Sequence, residues 1–388
     1  MSCEIEKSDL PASDGTEVKP DLPEGVPPLT SLYLYISGSC NLACRHCWIT
    51  PTRQTALNGG KQIRTEYVHK AIHEARPMGL QAVKLTGGEP VLHPQFRDIV
   101  SMLDDENLVI SIETNGTLID NDLAGFLKQR KHVSFISVSL DGADEKTHES
   151  LRAVRGSFEQ AISGIRNLVD QGFRPQLICT LHRGNVSQMG EVIKLAEDLG
   201  CGSLKFNHVQ KMGRGERFAG EQGLQIAEII NLSHHLATNA GNAKKMPIYF
   251  DIPIAFCSIR KLLDNQFGGC TVRNILGLLA GGELSLCGIG VTTPELIYGH
   301  IAHDSLHDVW CSSPGLVQLR EQVPAQLAGI CSHCIHRDLC QGECVANNFH
   351  ASGRINAPFQ FCQKADALGL FPESRKREFS VSSRQRDP

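Results

Sequence analysis

The chain has 388 residues, of which 41% are apolar and 21% are charged, so it can bury a large core in two or three domains or in one barrel. The net charge of -4 and pI near 6.5 give no polyelectrolyte signature, and we expect no nucleic acid and no membrane as a partner. Residues 1–28 are polar and proline-rich without a secretory signal, and no apolar run could span a bilayer, so we predict a cytoplasmic protein.

From residue 31 onward, apolar strand-like runs alternate with helix-like stretches. The predicted strands cover 32–36, 82–86, 108–114, 134–140, 175–181 and 202–208. The predicted helices lie near 65–78, 94–104, 119–129, 157–171 and 188–199, with a further helical segment near 220–240. Because the strands are continuously apolar rather than alternating, we predict a parallel sheet covered by helices, about three quarters of an eight-unit barrel.

A short distinctive motif follows each of the first four predicted strands. The motifs are SGSC (37–40), TGGEP (86–90), ETNG (113–116) and SLDG (139–142). In such barrels the chemistry lies at the C-terminal ends of the strands, so four motifs on one rim predict a single site.

Fifteen cysteines need an explanation, and in a reducing compartment metal binding is favoured over disulfides. Cys40, Cys44 and Cys47 form a C-x3-C-x2-C array, and nine of the fifteen fall between Cys257 and Cys362. The second group indicates a separate metal-rich module. Three further thiols, Cys179, Cys201 and Cys311, are interpreted as core or incidental residues, and Cys3 lies in the predicted flexible tail.

The first array has three thiols, whereas a closed tetrahedral zinc site needs four ligands. His46 is the local candidate for a fourth, but it lies directly beside Cys47. Thiolate ligands suit both zinc and an iron–sulfur cluster, so either metal centre is possible. Three thiolates on a four-iron cluster would leave one iron free to bind a substrate.

The array and the rim motifs together resemble the radical S-adenosylmethionine (SAM) enzymes over residues 31 to 215. The resemblance implies a partial (β/α)6 TIM-type barrel in which Cys40, Cys44 and Cys47 hold a 4Fe–4S cluster. It also implies that the amino and carboxylate groups of S-adenosylmethionine chelate the open iron. An electron from the cluster would then cleave the cofactor and yield a 5'-deoxyadenosyl radical that abstracts hydrogen from a substrate.

Glycines at the second strand end allow close backbone approach, and the adjacent carboxylate could hold an ammonium group, although two glycines alone are an ordinary turn. The resemblance implies that seven residues contact the cofactor: Gly87, Gly88 and Glu89 at the methionyl amine, Asn115, Ser139 and Arg152 at the ribose and carboxylate, and His46 beside it. Asp141 could be only a turn or helix-cap residue.

The later cysteines resemble the seven-cysteine SPASM pattern of enzymes that mature peptides and proteins, although paired C-x2-C elements alone would also suit zinc. The resemblance implies a first auxiliary cluster on Cys270, Cys287 and Cys344, with Cys257 as the fourth ligand, and a second on Cys331, Cys334, Cys340 and Cys362. The cofactors implied are S-adenosylmethionine and three 4Fe–4S clusters.

These patterns predict four segments of chain. They are a disordered N-terminal tail (1–30), a radical SAM partial barrel (31–240), a cysteine-rich SPASM domain binding auxiliary clusters (241–370) and a disordered basic tail (371–388). The short first segment cannot form a leader-recognition domain, so we expect either a separate leader-peptide-binding protein or recognition by the barrel and SPASM domain.

The leading functional hypothesis is a peptide maturase that installs an oxidative thioether or carbon–carbon cross-link in a precursor peptide or protein, with a flavodoxin or ferredoxin type electron donor. Alternatives are a peptide epimerase, a quinone-cofactor biosynthesis enzyme and an anaerobic sulfatase-maturing type enzyme. That last branch carries an aspartate base after the cysteine matching Cys287, where this chain has Gly288.

Two non-enzyme hypotheses are an iron–sulfur carrier and a zinc-binding interaction protein. No general base is assigned from the sequence. Five side chains could face a pocket, although packing is the commoner role for such aromatic residues: Tyr33, Tyr35, Trp48, His208 and Glu283.

Overall fold

The computed structural model describes residue 20 and residues 22–50, 60–239, 246–263 and 270–377. Its ten strands form one sheet in the order β10-β9-β8-β1-β2-β3-β4-β5-β6-β7. The parallel strands of the predicted barrel are β1 Ser31–Ser37, β2 Ala82–Gly87, β3 Val109–Thr114, β4 Val133–Ser139, β5 Gln176–Leu181 and β6 Ser203–His208. All six strand predictions and the fold class are confirmed.

Four further strands extend this sheet at its two edges. They are β7 Ile248–Phe250, β8 Ile275–Leu278, β9 Glu283–Ser285 and β10 Ile297–His300. β7 pairs parallel with β6, and β8 pairs parallel with β1, while β9 and β10 add antiparallel. The start of the predicted cysteine-rich module is therefore continuous with the barrel sheet.

Helices on the described chain follow the strands in the expected order. In the barrel region they are α1 Thr65–Ala75, α2 Phe96–Asp105, α3 Asn121–Lys128, α4 Glu145–Arg152, α5 Ser157–Asp170, α6 Met189–Asp198, α7 Arg214–Gln222 and α8 Ile226–Asn239. Further on are α9 Ile259–Leu263, α10 Leu306–Ser312, α11 Pro314–Gln322, α12 Ile330–His333, α13 Arg337–Cys340, α14 Val345–Ser352 and α15 Gln360–Ala367. In the described parts of the chain, every helix is too short or too polar to cross a membrane.

The helix α4 is absent from the sequence prediction. Its segment EKTHESLR is mostly polar and lacks the apolar stripe by which helices are recognised. The side chain of Asp144 caps it by accepting a hydrogen bond from the Thr147 amide at 2.8 Å. The helix cap is therefore Asp144, which leaves Asp141 available for another role.

Two segments that the sequence analysis assigned to the tails pack against the fold. Leu29 is fully buried, and the carbonyl of Pro27 accepts a hydrogen bond from the Trp310 indole at 2.9 Å. At the other end Phe371 is buried, and Lys376 forms a β-bridge with Cys334. The remaining tail residues, including Cys3, lie outside the described residues, and the other domain boundaries stay predictions.

Candidate active site

The loop after β1 buries the first cysteine array beside α4. Cys40 and Cys44 are each less than a tenth exposed, and both pack with Cys47 in one apolar cluster. Backbone hydrogen bonds from Ala43 and Arg45 to the carbonyls of α4 hold the loop in place. The structure therefore brings together the three thiols that the sequence singled out.

Burial raises the pKa of the Cys40 thiol to about 12, and burial also raises the pKa of Cys44. Thiolates at such positions need a compensating positive charge, which a metal centre supplies. Across the described chain, no three His, Cys, Asp or Glu side chains converge on a site for a single metal ion. Three neighbouring thiols, two buried and one half-buried, are a donor set that fits an iron–sulfur cluster with one open iron.

The glycine motif after β2 lies directly on the cysteine loop. The amide of Gly88 donates to the Ser37 carbonyl at 2.7 Å, and the amide of Glu89 donates to the Ser39 carbonyl at 2.8 Å. A Cβ atom at Gly88 would stand 2.1 Å from the Ser39 carbonyl oxygen, and Gly87 has a φ of 130°. The close approach that requires glycine is thus between two loops of the protein itself.

Glu89 is completely buried between the first three strand ends. Its carboxylate accepts hydrogen bonds from the Thr114 hydroxyl at 2.7 Å, the Asn115 amide at 2.8 Å and the Val91 amide at 3.3 Å. Burial nevertheless raises the pKa of Glu89 to about 7. A buried carboxyl poised near neutrality can bind an ammonium group in its ionised form.

Asn115 faces the cysteine loop. Its side-chain amide donates to Asn41 at 2.9 Å and approaches the Cys40 sulfur at 3.9 Å, while its side-chain oxygen accepts from Thr117. Thr114 belongs to the ETNG motif, whereas Asn41 and Thr117 had no distinctive signal in the sequence, because they contact each other only through the fold.

The buried pair Asp141–Arg152 lies on the other side of the cysteine loop. Arg152 Nε donates to Asp141 at 2.5 Å, and Arg152 Nη1 lies 3.6 Å from the Cys44 sulfur. Burial alone would raise the pKa of Asp141, but the Arg152 guanidinium beside it holds that pKa at about 2. Both groups are therefore charged, and Arg152 lies beside a proposed cluster ligand.

A cavity of about 230 Å³ lies inside the curve of the sheet. Residues from β1 to β6 line it, together with His46, Ser139 and Arg152 from the predicted cofactor side. The Nδ1 atom of His46 is buried without a hydrogen-bond partner, and burial lowers the pKa of this ring to about 4, so it is neutral at physiological pH. The cavity thus reaches the predicted cofactor position.

Tyr33, Tyr35, Trp48 and His208 line this cavity, in agreement with the sequence analysis. Glu283 instead forms an ion pair on β9 with Lys61 at 3.3 Å.

An ion pair in the cavity wall was missed by the sequence analysis. Lys84 Nζ donates to Glu113 Oε1 at 2.8 Å, and Thr86 donates to Glu113 Oε2 at 3.1 Å. Burial would raise the pKa of Glu113, but Lys84 pulls it below its usual range, so the carboxylate is ionised. A lysine within the apolar run AVKLT was the signal that could have indicated this site.

The wall of the same cavity also carries Cys270, Cys287 and Cys344. Burial, with a smaller contribution from the neighbouring Cys344, raises the pKa of Cys287 to about 12. Cys257 follows a short turn and is not among the residues that line this cavity, and its carbonyl accepts a hydrogen bond from Arg375 at 3.2 Å. The three thiols on the cavity wall are those of the first proposed cluster, and the ligand role of Cys257 stays a prediction.

The second proposed cluster corresponds to a small cavity of its own. Its lining includes four thiols, those of Cys331, Cys334, Cys340 and Cys362. Backbone amides donate to two of the sulfurs, from Phe359 to Cys331 and from His336 to Cys334, each at 3.4 Å. Amide donors of this kind stabilise thiolates and tune cluster potentials.

Residues 34–196 match the family model described as the Radical SAM superfamily. The chain contains a radical SAM domain. It is therefore an enzyme that uses S-adenosylmethionine, and its later cysteines are compatible with a SPASM domain. The non-enzyme hypotheses are set aside by this finding.

Two curated relatives are similar along most of their length. The mycofactocin maturase MftC of Mycobacterium ulcerans is 26% identical over 84% of this chain and 85% of its own. The AdoMet-dependent heme synthase of Methanosarcina barkeri is 24% identical over 84% of this chain and 94% of its own.

Among solved structures, Streptococcus suis SuiB bound to precursor peptide SuiA has a TM-score of 0.67 at 16% identity, covering 87% of this chain and 76% of that one. The structure of anSMEcpe with bound AdoMet has a TM-score of 0.67 at 17% identity, covering 89% and 96%. At these identities the likeness shows a shared fold.

The titration of Glu89 predicts a pH dependence of cofactor binding. Below its pKa of about 7 the carboxyl is protonated and cannot pair with an ammonium group. Affinity for S-adenosylmethionine should therefore rise about eightfold between about pH 6 and about pH 7.5, measured by equilibrium dialysis of the reconstituted radical SAM enzyme. Equal affinities across this range would contradict the role of Glu89, and Glu89→Gln should remove the dependence.

The Asp141–Arg152 pair predicts opposite changes in the reduction potential of the SAM-binding cluster. Arg152→Gln removes the cation beside Cys44 and should lower the potential, whereas Asp141→Asn leaves that cation uncompensated and should raise it. We expect shifts of roughly 30 to 60 mV, about a three- to tenfold change for a one-electron couple. The potential is measured in a reductive titration monitored by EPR. The signal to follow is the one that changes when S-adenosylmethionine is added, since it belongs to the SAM-binding cluster.

The double variant Asp141→Asn with Arg152→Gln is the control, because it removes both charges together. A potential close to that of the wild type is expected. Shifts of the same sign in both single variants would indicate general disruption of the loop.

The separate positions of Cys257 and Cys331 predict different iron contents. Cys257→Ala should keep the wild-type iron content, because this residue is not among those that line the cavity. Cys331→Ala should lose about four iron atoms per chain. Iron and sulfide analysis after anaerobic reconstitution measures the content of both variants. Loss of iron in Cys257→Ala would indicate that Cys257 is a ligand.

Proposed function

We propose that this radical SAM enzyme is a peptide maturase that forms an oxidative cross-link, a thioether or a carbon–carbon bond, in a ribosomally made precursor. The observation that carries the proposal is the single cavity that joins the two redox regions. His46 and Arg152 line this cavity, and so do Cys270, Cys287 and Cys344. A substrate in this cavity would lie within reach of both a hydrogen-abstracting centre and an electron acceptor.

The donor sets fit three clusters and one cofactor. Cys40, Cys44 and Cys47 would hold the first cluster, with Glu89 at the cofactor's amino group. When bound, this cluster and S-adenosylmethionine supply a 5'-deoxyadenosyl radical that abstracts a hydrogen atom from the substrate. The cysteines on the cavity wall and those of the second small cavity would hold the auxiliary clusters.

Oxidation of the substrate releases a proton as well as an electron, so the cavity needs a proton acceptor. Glu113 lines the cavity and is ionised, with Lys84 and Thr86 fixing its two oxygens. Oε2, which accepts the weaker bond from the Thr86 hydroxyl, is the atom that we assign to take the proton. Lys84 stabilises the carboxylate before the transfer.

The remaining cavity groups orient the substrate and exclude water. Tyr35 and Trp48 pack edge to face, with ring centroids 6.3 Å apart, and form an apolar part of the wall. Burial raises the pKa of Tyr35 well above its usual value, so its hydroxyl stays protonated and serves as a hydrogen-bond donor.

The surroundings of Gly288 disfavour a reaction of the sulfatase-maturing type. A Cβ atom at this position would stand 2.2 Å from the Tyr35 ring, so the space above Gly288 is already filled by that side chain. An acidic base after Cys287 would therefore require Tyr35 to move. A peptide epimerase and a quinone-cofactor enzyme remain as alternatives within the same superfamily.

Two of the similar proteins support a peptide substrate. One relative is called a mycofactocin maturase, and SuiB is bound to a precursor peptide. We further propose that the precursor is recognised either by the barrel and SPASM region or through a separate leader-peptide-binding protein, and that a flavodoxin or ferredoxin supplies electrons.

A second candidate function is a step in heme synthesis, favoured by the similarity to AdoMet-dependent heme synthases over 84% of this chain. Incubation with a heme precursor in place of a peptide separates the two candidates. Formation of heme absorbance would support the second candidate and contradict the first.

The maturase proposal predicts a peptide product lighter by two hydrogen atoms. Reconstituted enzyme, S-adenosylmethionine, dithionite and the peptide encoded beside the gene should yield this product together with 5'-deoxyadenosine, both measured by mass spectrometry. Cys40→Ala should abolish both products. An unchanged mass with deuterium gained from heavy water would indicate epimerisation and contradict the cross-link.

A separate variant tests Glu113 as the proton acceptor. Glu113→Gln should lower formation of the cross-linked peptide by about 10²-fold or more, the usual effect of losing a general base. The same variant should still form 5'-deoxyadenosine, because hydrogen abstraction precedes the proton transfer. Wild-type yield from this variant would exclude Glu113.

A further inference from the structure

Three polar side chains from two loops form a closed ring of hydrogen bonds beside the first cysteine array. The side-chain nitrogen of Asn115 donates to Asn41 Oδ1 at 2.9 Å, and Asn41 Nδ2 donates to the Thr117 hydroxyl at 2.8 Å. The Thr117 hydroxyl in turn donates to Asn115 Oδ1 at 2.7 Å. We call Asn41, Asn115 and Thr117 the hydrogen-bonded ring. It joins the cysteine loop after β1 to the loop after β3.

A tight turn at Gly116 brings Thr117 back to the side chain of Asn115. Gly116 has a φ of 77°, and a Cβ atom there would stand 2.5 Å from Val138 Cγ1, so the position requires glycine. In this turn the backbone amide of Thr117 donates to Asn115 Oδ1 at 2.9 Å. Because a backbone amide can only donate, the atom that it meets must be the oxygen of the Asn115 side chain.

The contacts of the Asn115 side chain occupy all of its hydrogen-bonding groups. Its oxygen accepts twice from Thr117, once from the backbone amide and once from the hydroxyl. One of its two N–H groups donates to Asn41, and the same nitrogen donates to the Cys40 sulfur at 3.9 Å. A side-chain amide has two donor hydrogens and two acceptor lone pairs, so the ring leaves one N–H group for Cys40.

Each of the two buried thiols in the array thus has a side-chain donor from a different loop. Asn115 lies beside Cys40, as Arg152 lies beside Cys44 at 3.6 Å. The backbone amide of Leu42 also donates to the Cys40 sulfur, at 3.4 Å. Hydrogen bonds to ligand sulfurs stabilise the more negative, reduced state of an iron–sulfur cluster, so they raise its reduction potential.

We propose that the hydrogen-bonded ring orients the Asn115 side chain as a donor to the Cys40 sulfur and thereby raises the reduction potential of the SAM-binding cluster. Asn41 and Thr117 are positioning residues, because they act through Asn115. This role differs from the contact with the ribose and carboxylate of the cofactor that the resemblance implies for Asn115. The inference rests on Cys40 as a cluster ligand and does not depend on the identity of the substrate.

The test compares the reduction potential of this cluster in the reconstituted enzyme and in Asn115→Leu, without S-adenosylmethionine. Leucine has nearly the shape of asparagine but no donor, and the backbone hydrogen bond from residue 115 to Glu89 remains. The equilibrium constant for reduction should fall about threefold, which lowers the potential by about 30 mV for a one-electron couple. The titration is monitored by EPR, and a sample with added S-adenosylmethionine identifies the signal of this cluster.

Two further variants test the positioning residues. Thr117→Val and Asn41→Leu should each lower the potential by less than Asn115→Leu, because the backbone amide of Thr117 still holds the Asn115 oxygen. The combined variant should show the larger of the two single effects rather than their sum, since either change opens the same ring. Thr117→Ser keeps the hydroxyl and should keep the wild-type potential.

Asn121→Leu is the matched control, because it removes an asparagine side chain whose hydrogen bond has a different partner. Asn121 on α3 accepts from the exposed side chain of Gln171 at 2.9 Å, and its loss should leave the potential at the wild-type value. Iron analysis accompanies every titration. If Asn115→Leu does not retain the cluster, Thr117→Val carries the test, because it leaves the Asn115 side chain in place.

A second measurement separates a contact with the sulfur from a contact with the cofactor. Affinity for S-adenosylmethionine, measured by equilibrium dialysis, should stay at the wild-type value in Asn115→Leu. An unchanged potential with weaker cofactor binding in this variant would assign Asn115 to the cofactor and overturn the inference. Equal shifts in Thr117→Val and Thr117→Ser would overturn the role of the hydroxyl.

Failure of the cluster assignment is distinguishable from failure of the inference. If the wild type shows no EPR signal that responds to S-adenosylmethionine, the assignment of the cluster to this array fails, and the inference fails with it. If the signal is present and its potential is the same in the wild type, Asn115→Leu and Thr117→Val, the cluster assignment stands and only the role of the hydrogen-bonded ring fails.

Discussion

The close contact between the two loops after β1 and β2 is the constraint on which the site depends. Parallel pairing of these strands delivers both loops to the same rim, and hydrogen bonds from Gly88 and Glu89 then join the glycine motif to Ser37 and Ser39. A side chain at Gly88 would collide with the Ser39 carbonyl. This contact places a buried carboxyl beside the cysteine array, where an amino group and an iron–sulfur cluster can be bound together.

Two ion pairs, Asp141–Arg152 and Lys84–Glu113, lie in different parts of the candidate active site. Burying charges is costly and often adds no net stability, so such pairs are better explained by function than by folding. Asp141–Arg152 directs positive charge at Cys44, and Lys84–Glu113 keeps an ionised carboxylate inside the substrate cavity. In the proposed function the first pair would tune electron transfer at the cluster, and the second would accept the proton released by the substrate.

The features that the sequence predicted correctly depend on local patterns, and those that it missed depend on contacts between distant parts of the chain. The six barrel strands were predicted correctly because continuous apolar runs report burial on both faces. Helix α4 was missed because EKTHESLR buries few apolar residues. The interpretation of Gly87 and Gly88 as glycines that approach a ligand stays a prediction, since the contact observed is with the neighbouring loop. Cys257 was assigned through the resemblance, and its ligand role stays a prediction; in the fold its carbonyl accepts a hydrogen bond from Arg375.

The sequence by itself determined the class of chemistry, because a C-x3-C-x2-C array, a GGE motif and a later seven-cysteine pattern are local features readable from spacing. Only the tertiary structure decided which side chains share an environment. Arg152 meets Cys44 across 108 positions, and Arg375 and Arg377 reach the loop of Cys334 from the end of the described chain. Such contacts depend on how strands and helices pack, so no local pattern in the sequence could have specified them.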